Sequence, residues 1–245
     1  LASGEAAKAG ERFAAAAKAD PKSAAAQAGL GRSLARQHRF EDASVALRRA
    51  AELDPGYKEA LLELASLYEE DREYDKAIEV YSGFRENVAA RERMAVLLIR
   101  TGKGAEAGAV LEELLADAPQ DAGLRLTYGR VLRDLKKYPA AGEQFARAVQ
   151  AKPDLAEGWA ELAGVLILVE NYPAALAALD RLKALGAEAS GHLYLRAIIL
   201  DKTRQLRPAL ESYEKFLEAS QGKSPNEEFL ARQRARIIRK ELDRR

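Results

Sequence analysis

This chain of 245 residues has no cysteine, only two histidines and almost no net charge. Without cysteine no disulfide forms, and the redox compartment stays open. His38 and His192 lie far apart and join no cluster with metal-ligand spacing, so both read as solvated side chains, one in a turn and one near a helix start. With 39 Lys and Arg against 38 Asp and Glu, the formal charge of +1 provides no global field to attract nucleic acid. The longest apolar run, Leu162–Val169, is far too short to insert across a bilayer. Neither an initiator methionine nor an export signal is visible, and the chain starts part-way through a repeating unit. It therefore reads as a fragment or a processed form, and cytoplasmic and exported (periplasmic) locations both stay open.

What the sequence does have is a register. Ala9, Ala43, Ala77, Ala107, Ala141, Ala175 and Ala209 are separated by 34, 34, 30, 34, 34 and 34 residues. Four residues after each alanine stands a large apolar side chain: Phe13, Leu47, Tyr81, Leu111, Phe145, Leu179 or Tyr213. Aromatics precede four of the alanines, at Phe40, Tyr74, Tyr138 and Tyr172, and proline follows at Pro21, Pro55, Pro119 and Pro153. Upstream runs a second ladder of small residues: Gly31, Ala65, Ala95, Gly129, Ala163 and Ala197. Three residues beyond each of these comes Leu34, Tyr68, Leu98, Leu132, Leu166 or Leu200. Spacings of three, four and seven place these groups on one face of each helix. The small residues let two helix backbones approach, and the large ones fill the gap beside them. A period of this size means stacked helical units, none of which buries its apolar face alone.

The pattern resembles the tetratricopeptide repeat family. Its best single match is Trp159, Leu162, Ala163 and Leu166 followed by Ala175 and Leu179; Leu30-Gly31 and Tyr128-Gly129 match the small-residue step. The resemblance implies an all-α, right-handed α-solenoid of antiparallel helix pairs, read as a single domain over 1–245. Residues 1–22 form the second helix of a partial repeat. Complete repeats run 24–57, 58–87, 88–121, 122–155, 156–189 and 190–223. The repeat at 58–87 lacks about one helical turn near Phe84–Val88, which predicts a tighter corner and not a domain break. Asp20-Pro21 and Asp54-Pro55 are expected to end one helix and start the next. A capping helix closes the array at 226–243, one face for the stack and one for water. Its Arg232, Arg234, Arg236, Arg239, Lys240, Arg244 and Arg245 read as a solvated face, with an anion-binding or partner-docking patch as the alternative.

Enzyme chemistry is weakly represented. Gly29-Leu30-Gly31 sits at a packing position with no strand before it, and Gly102-Lys103-Gly104 lacks the rest of a phosphate loop. Glu69-Glu70 and Glu112-Glu113 read as helix-solvating groups, not an acid/base pair. The expectation is a non-enzyme with no catalytic residue, cofactor or metal.

The resemblance also implies where a partner sits. In such arrays the first helix of each repeat lines the concave surface, exposing its second, fifth, ninth, twelfth and thirteenth positions. Members that clamp a C-terminal carboxylate use lysine at the fifth and asparagine at the ninth. Here the ninth positions are Arg32, Ser66, Val96, Arg130, Gly164 and Ile198, so that clamp is not expected. What remains is a groove with mixed charges near Arg32, Arg36, Glu69 and Glu70 and an apolar C-terminal part. The candidate partner-binding residues are Ile167, Leu168, Tyr194 and Ile198, with Leu126, Arg130 and Arg133 one repeat earlier. The four apolar groups of the last two repeats read as surplus to the core, Tyr194 as the strongest anchor, and the arginines as partners for acidic groups on the ligand; the alternative is a superhelix curled tightly enough for these apolar groups to touch each other. The expected function is a protein–protein interaction scaffold, in a bacterial-looking protein, binding a peptide or protein segment without nucleic acid or membrane insertion. The alternatives are a self-association module joined through the N-terminal edge and a non-catalytic, substrate-presenting part of a larger enzyme.

Overall fold

The computed structural model describes the backbone of residues 2–244 and the side chains of residues 8–244. Arg245, counted above in the basic helix, lies outside the described residues. Every regular element among them is helical. Contacts group the chain into two compact units, Leu1–Leu114 and Leu115–Arg245.

The N-terminal unit holds α1 (Ala2–Ala19), α2 (Ala24–Ala35), α3 (Phe40–Leu53), α4 (Ala60–Glu70), α5 (Tyr74–Ser82), α6 (Val88–Arg100) and most of α7 (Gly104–Asp117). The C-terminal unit holds α8 (Ala122–Asp134), α9 (Tyr138–Ala151), α10 (Ala156–Leu168), α11 (Tyr172–Ala184), α12 (Ser190–Lys202), α13 (Leu206–Ser220) and α14 (Pro225–Asp243). Helices pair as α2 on α3, α4 on α5, α8 on α9, α10 on α11 and α12 on α13, and each pair packs on its neighbour within its unit.

The alanine ladder marks the closest approaches: Ala43, Ala77, Ala107, Ala141, Ala175 and Ala209 are all 0% exposed. A Cβ on Gly31 would strike Leu47 at 2.5 Å, and one on Gly129 would strike the Phe145 ring at 2.4 Å. These glycines are therefore contact positions, where any side chain would push the paired helices apart.

Each helix pair turns through one left-handed residue: His38, Arg72, Gly102, Lys136, Glu170 and Arg204, with φ of 58–75°. The following N–H reaches back to Leu34, Tyr68, Leu98, Leu132, Leu166 or Leu200, giving N–O distances of 2.8–3.0 Å. This closes the last turn of the first helix and satisfies a carbonyl that would otherwise lack a partner.

Two features depart from the expectations above. Pro21 and Pro55 do not open the next long helices. Asp20 and Asp54 instead accept from the N–H groups of Lys22 (3.0 Å) and Gly56 (2.9 Å), forming turns across the proline. Ser23 then caps α2, and α4 begins only at Ala60, after a 3₁₀ turn at Pro55–Tyr57. Prolines in the first turn of a long helix are Pro139, Pro173, Pro208 and Pro225. The second departure concerns the capping helix. Ala231 stands 34 residues after Ala197, is 0% exposed and follows Leu230 as the small position follows a large one elsewhere. α14 is thus a further first helix, running on past the point where the others turn. Its outer face is not wholly polar: Phe229, Leu230 and Ile237 are exposed.

The short repeat loses its turn from the second helix. α5 has 9 residues where α3 has 14. Buried Phe84 covers the truncated end, with Lys58 Nζ 5.0 Å from its ring centre, and Asn87 restarts the chain by accepting from Ala90 N–H at 3.0 Å.

Candidate partner-binding face of the first helices

In the C-terminal unit the packing positions of α10 and α12 are filled by Leu162, Ala163, Val165, Ala197, Ile199 and Leu200, all buried. Trp159 is half-buried, donates Nε1–H to the Pro153 carbonyl at 2.9 Å and carries the Arg181 guanidinium 5.7 Å from its ring centre. Beside these, Leu168 is 55% exposed, and Ile167 and Ile198 are half-buried. These three remain open apolar groups on first helices.

The other four candidates stand differently. Leu126, placed by register on the open face, is buried. Tyr194 is half-buried, with its ring 4.9 Å from Phe216 and 6.2 Å from Tyr213, packed against the apolar cluster formed by α12, α13 and α14. Burial and the nearby Glu227 carboxylate raise its phenol above the ordinary range. Tyr194 therefore serves the core and is not surplus to it. A tetratricopeptide register gives the side of a helix but not what the following helices lay over it.

Arg130 and Arg133 are engaged as well. Arg130 Nε donates to Glu161 at 2.8 Å and its Nη2 to Glu157; Arg133 Nη1 donates to Glu161 and its Nε to Asp134 at 3.1 Å. Burial alone would lower both guanidinium pKa values, but these carboxylates outweigh it and raise them. The two cations and three carboxylates form one network between α8 and α10, so neither arginine is a free positive charge.

The same linkage recurs in the N-terminal unit. Arg32, at the ninth position like Arg130, pairs with Glu63 at 3.0 Å, at the sixth position of the next repeat like Glu161. Further along, Glu69 accepts from Tyr81 Oη at 2.6 Å and from Arg93. Exposed apolar groups on this unit's first helices are Val88, Val96 and Ile99 of α6.

His38 is a solvated side chain, 69% exposed, whereas His192 is engaged. His38 Nδ1 lies 3.4 Å from Asp71, and His192 Nδ1 accepts the Ala189 N–H at 3.0 Å, capping α12. Ion pairs tie the basic last helix to its neighbours through Arg234 to Asp201 at 2.7 Å and Arg239 to Glu214 at 2.6 Å, while Arg232 pairs with Glu228 within the helix at 2.7 Å. Among the described residues no group of three or more His, Asp or Glu is placed to hold a metal, and no helix is long and apolar enough to cross a membrane.

The family model for the tetratricopeptide repeat matches residues 1–57, 29–91 and 92–156, well over half of the chain. The chain belongs to the tetratricopeptide repeat family. Its repeated helix pairs are those of tetratricopeptide solenoids, a fold that supports protein–protein interaction scaffolds and is generally non-catalytic. Anaphase-promoting complex subunit 3 of Schizosaccharomyces pombe is 27% identical over 124 residues, which is 49% of this chain and 19% of that protein. The match thus spans about a fifth of that relative. Among solved structures, pilF of Pseudomonas aeruginosa superposes with a TM-score of 0.55 at 22% identity, covering 85% of this chain and 97% of that one. YrrB, a tetratricopeptide repeat protein with an unusual peptide-binding site, gives 0.52 at 21% identity, covering 72% and 93%. At such identities the likeness concerns the fold.

Proposed function

We propose that this tetratricopeptide repeat protein is an interaction scaffold whose C-terminal unit holds an apolar peptide or protein segment on its first helices. The observation that carries the reading is the exposure of Leu168, with Ile167 beside it and Ile198 on α12, where the core is already complete without them. Exposed apolar groups on an ordered helix face are best accounted for by a partner that covers them. Tyr194 supports the site from beneath, through its ring contacts with Tyr213 and Phe216. Arg130 and Arg133, neutralised by Glu157, Glu161 and Asp134, form its polar edge and set orientation more than affinity. The peptide-binding site of YrrB is in keeping with this use of the fold.

A random peptide library panned on the chain tests the reading and needs no identified partner. Recovered peptides are expected to carry apolar residues and to bind Leu168→Glu at least about tenfold more weakly. Val45→Glu, on the exposed side of α3, serves as the control and is expected to bind like the parent. Equal binding to all three proteins would reject the site.

Self-association is the second reading, carried by Phe13, which lies over Gly29 of α2 and is 39% exposed. Sedimentation equilibrium of the parent and Phe13→Ser tests it: a concentration-dependent mass abolished by the substitution supports it, and a monomer at every concentration rejects it.

A further inference from the structure

Arg125 of α8 is 8% exposed, yet every hydrogen-bond acceptor it reaches is neutral. Its Nε donates to the Pro119 carbonyl at 2.9 Å, its Nη2 donates to the same oxygen, and its Nη1 donates to Gln144 Oε1 at 2.9 Å. Among the described residues no carboxylate pairs with it. A buried guanidinium without a counter-charge is costly, because desolvation is not offset by an ion pair.

The backbone contact does not require that charge. Trp159 holds the same register position one repeat later and donates its indole N–H to Pro153 as Arg125 does to Pro119. A neutral ring thus does the same structural work. What Arg125 adds is a positive group at the wall of a cavity of about 290 Å³, lined by Gln120, Arg125, Arg147, Gln150 and Ala151. That volume is roughly ten times the share of one liquid water. Its lining offers two guanidinium groups and two side-chain amides and no carboxylate. Arg147 is held by Glu143 one turn back, outside the lining.

We propose that this cavity is an oxyanion site that takes one compact phosphate or carboxylate group. Three of the five N–H donors of Arg125 are spent on Pro119 and Gln144; the two left, with the Arg147 guanidinium, suit such a group, and the amides supply neutral donors around it.

Isothermal titration of the whole chain with inorganic phosphate and with acetate, each at constant ionic strength in chloride, tests the assignment. Saturable heat with phosphate alone assigns a phosphate site; with acetate alone, a carboxylate site; with both, a general oxyanion site. Arg125→Trp copies the solution found at Trp159, so it is expected to fold and to lose at least tenfold in affinity. Arg147→Gln, at an exposed position, is expected to keep the fold and to weaken binding several-fold; it carries the test by itself if Arg125→Trp does not fold. Thermal unfolding of the same proteins separates site binding from the general stabilisation by phosphate, which acts on all variants alike. Absence of saturable binding in the parent, or equal affinity in the variants that fold, would overturn the proposal.

Discussion

Tyr81, Glu69 and Arg93 in the N-terminal unit and Tyr213, Asp201 and Arg234 in the C-terminal unit form the same arrangement. In each, a second-helix tyrosine donates to an acid twelve residues earlier, and an arginine of the next first helix grips that acid. Tyr74 with Arg100 and Tyr172 with Lys202 repeat the correspondence, each joining a hydroxyl and a ring face to a cation. The linkage across first helices differs more. Arg32–Glu63 is one exposed pair, whereas Arg130 and Arg133 converge on Glu161, whose side chain is 17% exposed, and Arg130 also holds Glu157. Within each unit, repeat geometry thus fixes where neighbouring repeats are joined, and the chemistry at each joint varies. The open apolar groups Ile167, Leu168 and Ile198 lie beyond the networked joint.

The core offers the largest way to test the equivalence of the two units. Phe145→Ala is expected to cost about 3–5 kcal/mol, and Leu47→Ala, at the same register position over Gly31, about 2–5 kcal/mol. Ala141→Leu and Ala43→Leu, which insert volume at fully buried contacts, are expected to cost about 1–3 kcal/mol each. Urea denaturation of the four variants measures these costs, and a midpoint unchanged in one unit would remove the equivalence there.

Next come the triads. Glu69→Gln and Asp201→Asn keep the shape and remove the charge that Arg93 and Arg234 grip, each at an expected cost of about 1–3 kcal/mol. The two losses should agree within a factor of two, since both carboxylates are nearly buried. A loss confined to one of them would show that the shared geometry does not carry shared energy.

The turns sharpen the comparison because one position has two outcomes. Gly102→Ala forces a Cβ into the left-handed region and is expected to cost about 1–2 kcal/mol. Glu170→Gly relieves the same conformation and is expected to gain up to about 1 kcal/mol. Thermal unfolding of the pair should therefore move in opposite directions.

The smallest effect belongs to the C-terminal unit alone. Beside the Ser220 hydroxyl, Glu228 accepts from the Gly222 N–H at 2.6 Å and from Arg232 at 2.7 Å, which holds it below its ordinary value of 4.5. A depressed carboxylate contributes stability above its unfolded pKa and loses it as pH falls through the folded value. The Tm difference between the parent and Glu228→Gln is thus expected to be constant near neutrality and to vanish in acid. A difference that persists at about pH 2 would place the effect in packing instead.

Much of this fold is legible in the residues. The two small-residue ladders locate the helix contacts, and Leu230-Ala231 extends the second ladder into α14. The turns are not legible, because His38, Arg72, Lys136, Glu170 and Arg204 share a conformation and no chemistry. Nor is the open face fully legible. Register puts Leu126 and Tyr194 on the first helices, but burial depends on neighbouring helices, and Phe216 reaches Tyr194 from a helix later in the chain. Two of the ion pairs, Arg32–Glu63 and Arg130–Glu161, join the ninth position to the sixth of the next repeat, a match that becomes visible once two helices are seen side by side.

The chain's seven isoleucines sample the open faces of four helices and the cores: Ile99 on α6, Ile167 on α10, Ile198 on α12, Ile237 on the outer face of α14, and Ile78, Ile199 and Ile238 in or against the cores. Methyl NMR of isoleucine-labelled protein titrated with a panned peptide therefore reports the binding face directly. With the partner held on α10 and α12, the Ile167 and Ile198 methyl signals are expected to shift together and saturably while Ile99 and Ile237 stay in place. Shifts confined to Ile237 or Ile99, with Ile167 and Ile198 unmoved, would contradict that placement.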